Sequence, residues 1–163
     1  MKTIFLWVML LCCAFAVADT HCQVFKIIDG DTFHCMANGG VVKVRMADID
    51  APEIKQQYGL VAKYALQNKI AGRTVFLVNP KKDRYKRFVA TVFVNGENVN
   101  RQMVENGYAV AYGKNSPYKH AEQTARRHRL GMWQYGYAER PQDFRKRKKP
   151  KRNSKKRKYS YVL

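Results

Sequence analysis

Residues 23–36 read QVFKIIDGDTFHCM, and this stretch predicts the first hairpin of a β-sheet. Two apolar runs, residues 23–28 and 33–36, lie on either side of an Asp-Gly turn. Asp-Gly between apolar runs is a strong hairpin signal, because its conformation suits the tight turn that joins antiparallel strands. The sequence therefore predicts two antiparallel strands joined by a tight turn at Asp29-Gly30.

The remaining elements follow from turn signals and hydrophobic periodicity along the chain. Further strands are predicted at residues 41–47, 73–78 and 88–94, and helices at residues 58–70, 98–106 and 117–130. The polar segment 79–87 is predicted to be a loop between two strands. Five strands and about three helices in this order favour an α+β domain over residues 19–144, built on a small closed five-stranded Greek-key barrel.

An apolar run at the N-terminus predicts export. Lys2 precedes an apolar run over residues 3–17, and Ala16-Val17-Ala18 offers small residues for cleavage. A bilayer span needs about 20 residues, so a signal peptide over residues 1–18 is favoured over an uncleaved anchor. We expect a periplasmic or secreted protein that starts at Asp19 and has no stable membrane insertion.

The two cysteines of the expected mature chain favour a disulfide. Cys22 and Cys35 lie nearly symmetrically about the first turn, so they can face each other, and an exported pair can oxidise. Free thiols are the main alternative. A zinc site that also uses His21 and His34 is disfavoured, because adjacent side chains on a strand point to opposite faces.

The net charge of +19 is concentrated near the C-terminus. Residues 145–158 hold eleven lysines and arginines and no acidic residue. A block of like charges repels itself, so residues 145–163 are predicted to be a disordered basic tail. Its expected role is to bind polyanions such as nucleic acid or anionic cell-surface polymers, and a solvated tail without a partner is the alternative.

Three polar clusters lie at or near the ends of the predicted strands. They occupy residues 29–32, 45–53 and 83–87, and together they supply several carboxylates and two guanidinium groups. Cleavage of a phosphodiester bond needs oxygen ligands for a hard cation, a base for water and fixed positive charge at the phosphate. The three clusters together therefore indicate phosphodiester chemistry.

The second cluster carries a geometric condition. Strand alternation would point Arg45 and Asp50 to opposite faces of the sheet. The two side chains can converge only if the strand ends or bends near Asp48. Pro52 favours an early end of the strand, since its ring does not suit a regular continuation.

These clusters resemble the signature motifs of the thermonuclease, or micrococcal-nuclease-like, family. The similarity begins at residues 28–32, continues through Val99-Asn100 and Gly107-Tyr108-Ala109, and reaches Met132-Trp133. The resemblance implies an OB-fold barrel with three helices. It also implies a calcium-dependent nuclease that acts on DNA and RNA and leaves 3′-phosphate ends. Because such a site contacts the metal and the phosphate and not base edges, weak sequence specificity is expected.

The resemblance implies a metal site and a general base. Asp31 and Asp50 match the calcium-binding carboxylates of the family, and Ala51 matches a position that offers its backbone carbonyl to the ion. Glu53 matches the residue usually assigned as the general base. The predicted cofactor is therefore Ca²⁺.

The substrate-binding residues are implied in the same way. Arg45 and Arg87 match the two phosphate-binding arginines, and a guanidinium can grip phosphate oxygens in a bidentate manner. Tyr85 matches a tyrosine that contacts the nucleotide, Arg84 belongs to the same basic cluster, and Tyr112 is a candidate for a second such tyrosine.

The chain also departs from the family pattern. Lys86 occupies a position that is usually Gly, which adds bulk and charge beside Arg87. The cysteine pair and the basic tail are not part of the core pattern. Neither is expected to touch the catalytic residues.

The nuclease is expected to act as a monomer. Two other classes of function are alternatives to a nuclease. An OB barrel can bind single strands by stacking, with Phe33, Tyr85 and Tyr112 as candidate platforms. Such a binder gains nothing from carboxylates beside a polyanion, so the acidic residues favour the enzyme. An adhesin or conjugation accessory protein would use only the tail and would be indifferent to calcium chelation.

Overall fold

The computed structural model describes residues 20–134, 136 and 138–148. In chain order its strands are β1 (Thr20–Ile27), β2 (Thr32–Ala37), β3 (Gly40–Met46), β4 (Ile49–Asp50), β5 (Thr74–Lys82), β6 (Phe88–Val94), β7 (Glu97–Asn98) and β8 (Val110–Ala111). Its helices are α1 (Gly59–Ile70), α2 (Val99–Glu105), α3 (Lys119–Arg127) and α4 (Pro141–Lys148), with a 3₁₀ turn at Gly131–Trp133. The predicted signal peptide and the tail after residue 148 lie outside the described residues.

Five strands close into a barrel. Strands β3, β2, β1, β5 and β6 are neighbours in that order and pair antiparallel. Parallel pairing between β3 and β6 then joins the two ends of this series, with Val44 beside Phe88. Closure leaves these five strands without free edges at the seam. The predicted α+β fold with an OB-type five-stranded barrel is confirmed.

Alternating side chains fill the barrel. On β1 and β2 the inward residues Val24, Phe33 and Cys35 are fully or almost fully buried. Helix α1 contributes Leu66 and Ile70 to the same core, where both are fully buried. Because side chains of a strand alternate between its faces, the polar residues between these positions are left on the outside.

Helix α1 buries a different face from the one its largest apolar residues suggest. Ala62, Leu66 and Ile70 face the core, whereas Leu60 and Tyr64 are exposed. Gly30 explains the small residue at position 62, because a Cβ added to Gly30 would lie 2.7 Å from the Cβ of Ala62. The glycine of the first hairpin turn thus packs directly against the helix.

Strand β5 is longer than predicted. The segment expected to be a loop from residue 79 instead continues the strand to Lys82. Its register with β6 shifts between Val78 and Lys81, and Asn79 in this bulge adopts a left-handed backbone with φ of 51°. A bulge also accommodates Pro80, which has no N–H to donate to the ladder.

The described structure has four α-helices instead of the three expected, and the fourth crosses the predicted domain boundary. Helix α4 covers Pro141–Lys148, so the first residues assigned to the disordered tail are helical. Pro141 suits the first turn of a helix, and Asp143 adds a favourable negative charge there. Phe144 is buried and holds this helix to the domain.

Cys22 and Cys35 form a disulfide across the first hairpin. Their Cα atoms are 5.5 Å apart, and both side chains are fully buried. Val24 pairs with Cys35 in the ladder, so the two cysteines lie on adjacent strands within the barrel core. Among the described residues, no helix is long and apolar enough to cross a membrane.

Candidate active site

A cleft of about 520 Å³ opens at one end of the barrel. It is lined by eight of the residues singled out in the sequence, namely Asp31, Arg45, Asp50, Ala51, Glu53, Tyr85, Arg87 and Tyr112. These residues come from four segments of the chain that the fold brings together: the three polar clusters and the segment that carries Tyr112. Arg84 is not among the residues that line the cleft.

Arg45 bridges the two aspartates predicted to bind the metal. Its Nη2 donates to Oδ1 of Asp50 at 2.8 Å and to the Ile49 carbonyl at 3.2 Å, and its Nη1 pairs with Asp31. Burial works against the charge of Arg45, but Asp31 and Asp50 outweigh it and raise its pKa. One guanidinium thus holds both carboxylates at the same point.

The convergence of Arg45 and Asp50 depends on the turn between β3 and β4. Strand β3 ends at Met46, and Asp48 takes a left-handed backbone with φ of 58°. The predicted bend is therefore present at Asp48. The Asp48 carbonyl accepts from the Tyr112 N–H and the Ser116 hydroxyl, both at 2.8 Å, which fixes the turn from outside.

Buried Asn100 holds the same turn from inside the protein. Its amide group donates to the Ala47 carbonyl at 2.8 Å, and its side-chain oxygen accepts from the Val92 N–H at 2.9 Å. The amide thereby links the turn to strand β6. The sequence pattern gave Asn100 no role, although a buried amide requires hydrogen-bond partners.

Asp31 is held by the segment that follows Asp50. It is 5% exposed, and its Oδ2 accepts from the Ala51 N–H at 2.6 Å. A Cβ on Gly30 would lie 2.7 Å from the Cβ of Ala51, so only glycine allows the two segments this close. The first turn and the second cluster are therefore locked together.

The backbone of Glu53 is fixed by two neighbours. Gln56 donates its N–H to the Glu53 carbonyl at 2.8 Å and accepts from the Glu53 N–H at 3.2 Å. A Cβ on Gly59 would lie 1.9 Å from the same carbonyl oxygen, so α1 can begin here only with glycine. The Glu53 side chain, 39% exposed, is the most accessible carboxylate of the predicted set.

Arg145 enters the cleft from α4, which the sequence reasoning missed. Its Nη1 donates to Oε1 of Glu53 at 2.8 Å and to Oδ1 of Asp50 at 3.1 Å, while Nη2 donates to Oδ2 of Asp50 at 2.8 Å. The hydrogen bond that Arg145 donates to Asp50, and then the one it donates to Glu53, raise the pKa of Arg145 despite its partial burial.

The expectation that the basic tail does not touch the catalytic residues is therefore wrong for its first residue. The block of like charge predicted disorder, but it obscured the helix-start signal of Pro141 and Asp143. These two residues were the features that could have placed Arg145 on a helix. The cysteine pair lies in the barrel core, as expected for residues outside the catalytic set.

The third cluster forms an exposed loop that braces Arg87. Oδ2 of Asp83 accepts from Nε and Nη2 of Arg87, at 2.9 and 2.8 Å. Oδ1 of the same carboxylate accepts the N–H groups of Tyr85 and Arg87, which lowers the pKa of Asp83 although its desolvation opposes this. Lys86 adopts φ of 60°, a left-handed conformation that glycine takes more readily.

Exposed aromatic rings flank the cleft. Tyr85 carries the guanidinium of Arg84 at 4.9 Å and that of Arg87 at 5.3 Å from its ring centre. Arg84 thus contacts Tyr85 and not the cleft itself. Tyr112 also lines the cleft and is exposed.

The cleft holds more negative groups than the predicted ligand set. Burial, and then the charge of Asp31, raise the pKa of Asp29 to about 7. Asp29 also accepts the N–H of Asp31 at 3.0 Å. Burial disfavours the charged form of any carboxyl group, and the neighbouring negative charge of Asp31 adds to this effect.

The donor set fits a hard divalent cation. Asp31 and Asp50 both pair with Arg45 and so bring their carboxylates together, and the family resemblance adds the backbone carbonyl of Ala51 as an expected ligand. Within the described residues, no group of three or more His, Cys, Asp or Glu side chains is arranged to hold a metal ion. A cation here would rely on two carboxylates and other oxygen ligands, which are the ligands that hard divalent cations prefer.

An OB-type barrel with carboxylates, a general-base candidate and three guanidiniums in one cleft indicates a phosphodiester hydrolase. The family described as "Staphylococcal nuclease homologue" matches residues 43–135, more than half of the chain. The chain therefore belongs to the staphylococcal nuclease family and is a nuclease. The predicted family and enzyme class are confirmed.

Individual relatives agree with this membership. The chain is 37% identical over 132 residues to an "Uncharacterized endonuclease" of Haemophilus influenzae, covering 78% of this chain and 74% of that protein. It is 35% identical over 148 residues to a "Micrococcal nuclease" of Shigella flexneri, with 82% and 85% covered. It is 36% identical over 152 residues to "Protein ParB" of Escherichia coli, with 85% and 86% covered.

Proposed function

We propose that this nuclease requires calcium, cleaves DNA and RNA with little sequence preference, and leaves 3′-phosphate ends. The observation that carries the proposal is the convergence of Asp31 and Asp50 on Arg45, in the same cleft as Glu53 and Arg87. Each residue type has a separate task in phosphodiester cleavage, and the barrel places all of them around one volume.

Asp31, Asp50 and the Ala51 carbonyl would hold the cation. When bound, it neutralises charge on a phosphate oxygen and favours ionisation of water. Calcium suits the site because it accepts several oxygen ligands in a flexible arrangement. Family membership supports the use of a metal ion in general, and the all-oxygen donor set is the reason for preferring calcium.

Glu53 accepts the proton from the attacking water, for which its accessible carboxylate is suited. Attack at phosphorus breaks the bond to the 5′-oxygen, which leaves with a proton from solvent. The phosphate stays on the 3′-oxygen of the preceding nucleotide. Arg45 and Arg87 stabilise the added negative charge on the phosphate during this step.

Arg87 can serve this purpose while bound to Asp83. A guanidinium has five N–H donors, and the two hydrogen bonds to Asp83 use only part of them. Tyr85 and Tyr112 offer rings on which bases of any identity can stack. Contacts to phosphate and to ring faces carry little sequence information, so weak specificity is expected.

The decisive experiment incubates residues 19–163 with plasmid DNA and with RNA, in calcium and after addition of a calcium chelator. We expect both substrates to be degraded in calcium and neither after chelation. The products should become extendable by a polymerase only after treatment with a phosphatase. Cleavage that survives calcium chelation but stops when other divalent cations are removed would reassign the metal.

We further propose export, a monomeric state and polyanion binding by the basic segment after α4. The buried Cys22–Cys35 disulfide supports an oxidising compartment. Expression of the full chain in bacteria should give periplasmic protein that starts at Asp19, contains the linked peptide pair and behaves as a monomer in light scattering. Truncation after Lys148 should flatten the salt dependence of DNA binding, since it removes phosphate contacts.

A further inference from the structure

Arg145 makes three hydrogen bonds to the two carboxylates that the proposed reaction uses most directly. Both oxygens of Asp50 and one oxygen of Glu53 accept from its guanidinium. Asp50 is 1% exposed while Arg145 is 39% exposed, so Arg145 covers Asp50 on the solvent side. Access to Asp50 from the cleft therefore runs past this side chain.

The position of Arg145 is set by contacts that do not involve Asp50 or Glu53. Phe144 is buried beside it, and Arg140 donates to the buried Glu122 at 2.8 Å. Gln56, which fixes the Glu53 backbone, also donates its amide N–H to the Glu139 carbonyl at 2.6 Å. Helix α4 is thus anchored to the segment that carries Glu53, and the anchors aim Arg145 into the cleft.

We propose that Arg145 is a built-in competitor of the divalent cation, which holds Asp50 and Glu53 until cation and nucleic acid displace it together. The inference rests on the calcium site proposed above. Arg45 also donates to Oδ1 of Asp50, but Arg145 engages both oxygens and is the residue that donates to Oδ2. A guanidinium on Oδ2 and a divalent cation ligated by the same atom would be like charges only a few ångströms apart. A cation that is ligated through Oδ2 must therefore first displace Arg145.

Nucleic acid is the partner that can accept the displaced side chain. Phosphate oxygens are bidentate acceptors for a guanidinium, as carboxylates are. A phosphate of a strand in the cleft can therefore accept the hydrogen bonds of Arg145 while Asp50 ligates the cation. Binding of either one makes binding of the other more favourable, and by linkage the effect is equal in both directions.

The first test measures calcium binding to the free protein by titration calorimetry, without nucleic acid. Arg145→Ala should bind calcium about tenfold more tightly than the wild type, since the partly buried competitor is lost. Arg145→Lys should fall between the two, because an ammonium keeps the charge but lacks the planar fork that engages both Asp50 oxygens at once. Circular dichroism and thermal unfolding confirm that each variant folds.

Lys146→Ala is the matched control. Lys146 is on the same helix, is exposed and pairs with Asp143 rather than with a cleft residue. Its loss removes one positive charge without freeing a carboxylate of the site, so its calcium affinity should stay within about twofold of the wild type. Equal affinities for Arg145→Ala and Lys146→Ala would overturn the inference, and weaker binding by Arg145→Ala would make Arg145 a support of the site.

The second test follows the calcium concentration that gives half-maximal cleavage as the DNA concentration rises. This concentration should fall steeply in the wild type and in Lys146→Ala, and less in Arg145→Ala, where no competitor remains to be displaced. If this calcium concentration depends on the DNA concentration in the same way in all three proteins, Arg145 does not move from Asp50 to the phosphate. Failure of all three to bind calcium would instead reject the proposed calcium site together with this inference.

Discussion

Two charged regions line the cleft at different depths. Asp31, Arg45 and Asp50 form a buried charge cluster, whereas residues 83–87 form a basic loop at the surface. The buried charge cluster is nearly hidden from solvent, and its residues lie on β3, on β4 and just before β2. The basic loop is exposed, and Asp83 alone supplies most of the hydrogen bonds that fix Arg87. Charges in the first region are part of the folded core, whereas those in the second are added to its surface.

This difference in depth predicts that substitutions in the two regions affect the free energy of unfolding and the catalytic rate differently. A substitution in the buried charge cluster should affect both folding and catalysis, because buried charges need their partners. A change in the basic loop should affect catalysis while leaving the free energy of unfolding almost unchanged. Measuring both quantities for the same variants tests whether depth, rather than residue type, decides the outcome.

Arg45→Met should have the largest combined effect. It leaves Asp31 without its ion-pair partner and Asp50 with Arg145 alone, which should lower the free energy of unfolding by about 3–5 kcal/mol. The rate should fall by about 10²–10³ because a phosphate-binding charge is lost. Urea unfolding and initial rates measure the two effects, and the exposed Arg101→Met serves as control.

The comparison breaks down if Arg45→Met proves as stable as Arg101→Met. Arg101 forms only a surface pair with Glu105, so its loss should cost no more than about 1 kcal/mol. Equal stability of the two variants would mean that Asp31 and Asp50 do not depend on Arg45 in the folded protein.

Glu53→Gln should abolish most activity without unfolding the protein. The amide keeps the shape of the side chain but cannot accept the proton from water, so the rate should fall by about 10²–10⁴. Glu105→Gln, at a partly exposed position away from the cleft, should cleave at the wild-type rate. Full activity of Glu53→Gln in calcium would reassign the general base.

Arg87→Lys should lower the rate by about 10²-fold at nearly unchanged stability. A lysine keeps the charge but loses the planar fork that grips a phosphate and is braced by Asp83. Arg84→Lys is the control, because Arg84 lies on Tyr85 and does not line the cleft. If both substitutions reduce the rate equally, positive charge alone matters in this loop.

Lys86→Gly should have the smallest effect and should act in the stabilising direction. Relief of the left-handed backbone at φ of 60° should raise the free energy of unfolding by about 0.5–1 kcal/mol, part of it offset by the greater freedom of glycine when unfolded. Lys63→Gly within α1 should instead destabilise by about 1 kcal/mol. Destabilisation by both substitutions would show that the Lys86 side chain contributes contacts of its own.

The barrel and most of the cleft were predictable because their signals are local. The Asp-Gly hairpin, the second cluster and the basic loop each announce a turn or a charged group within a few residues. The approach of Arg45 to Asp50 was foreseen only as a condition. Strand alternation forbids it unless Asp48 leaves the extended conformation, and only the structure shows that backbone.

The missed features depend on contacts distant in sequence. Arg145 reaches Asp50 because Phe144 and Gln56 anchor α4, and neither contact has a signature near residue 145. The role of Asn100 likewise depends on its distance from the Ala47 turn in the folded protein. The extension of β5 was missed because Pro80 argues against a strand unless the bulge at Asn79 is known.

The parallel seam between β3 and β6 has a consequence for how this protein is made. Val44 finds its neighbour Phe88 only after α1 and β5 have been synthesised, so the edge of β3 stays open while the chain is growing. Open strand edges attract other chains, and pairings distant in sequence form slowly. A nascent chain that stops short of β6 should therefore aggregate rather than fold, and keeping the chain unfolded until β6 emerges would avoid that hazard.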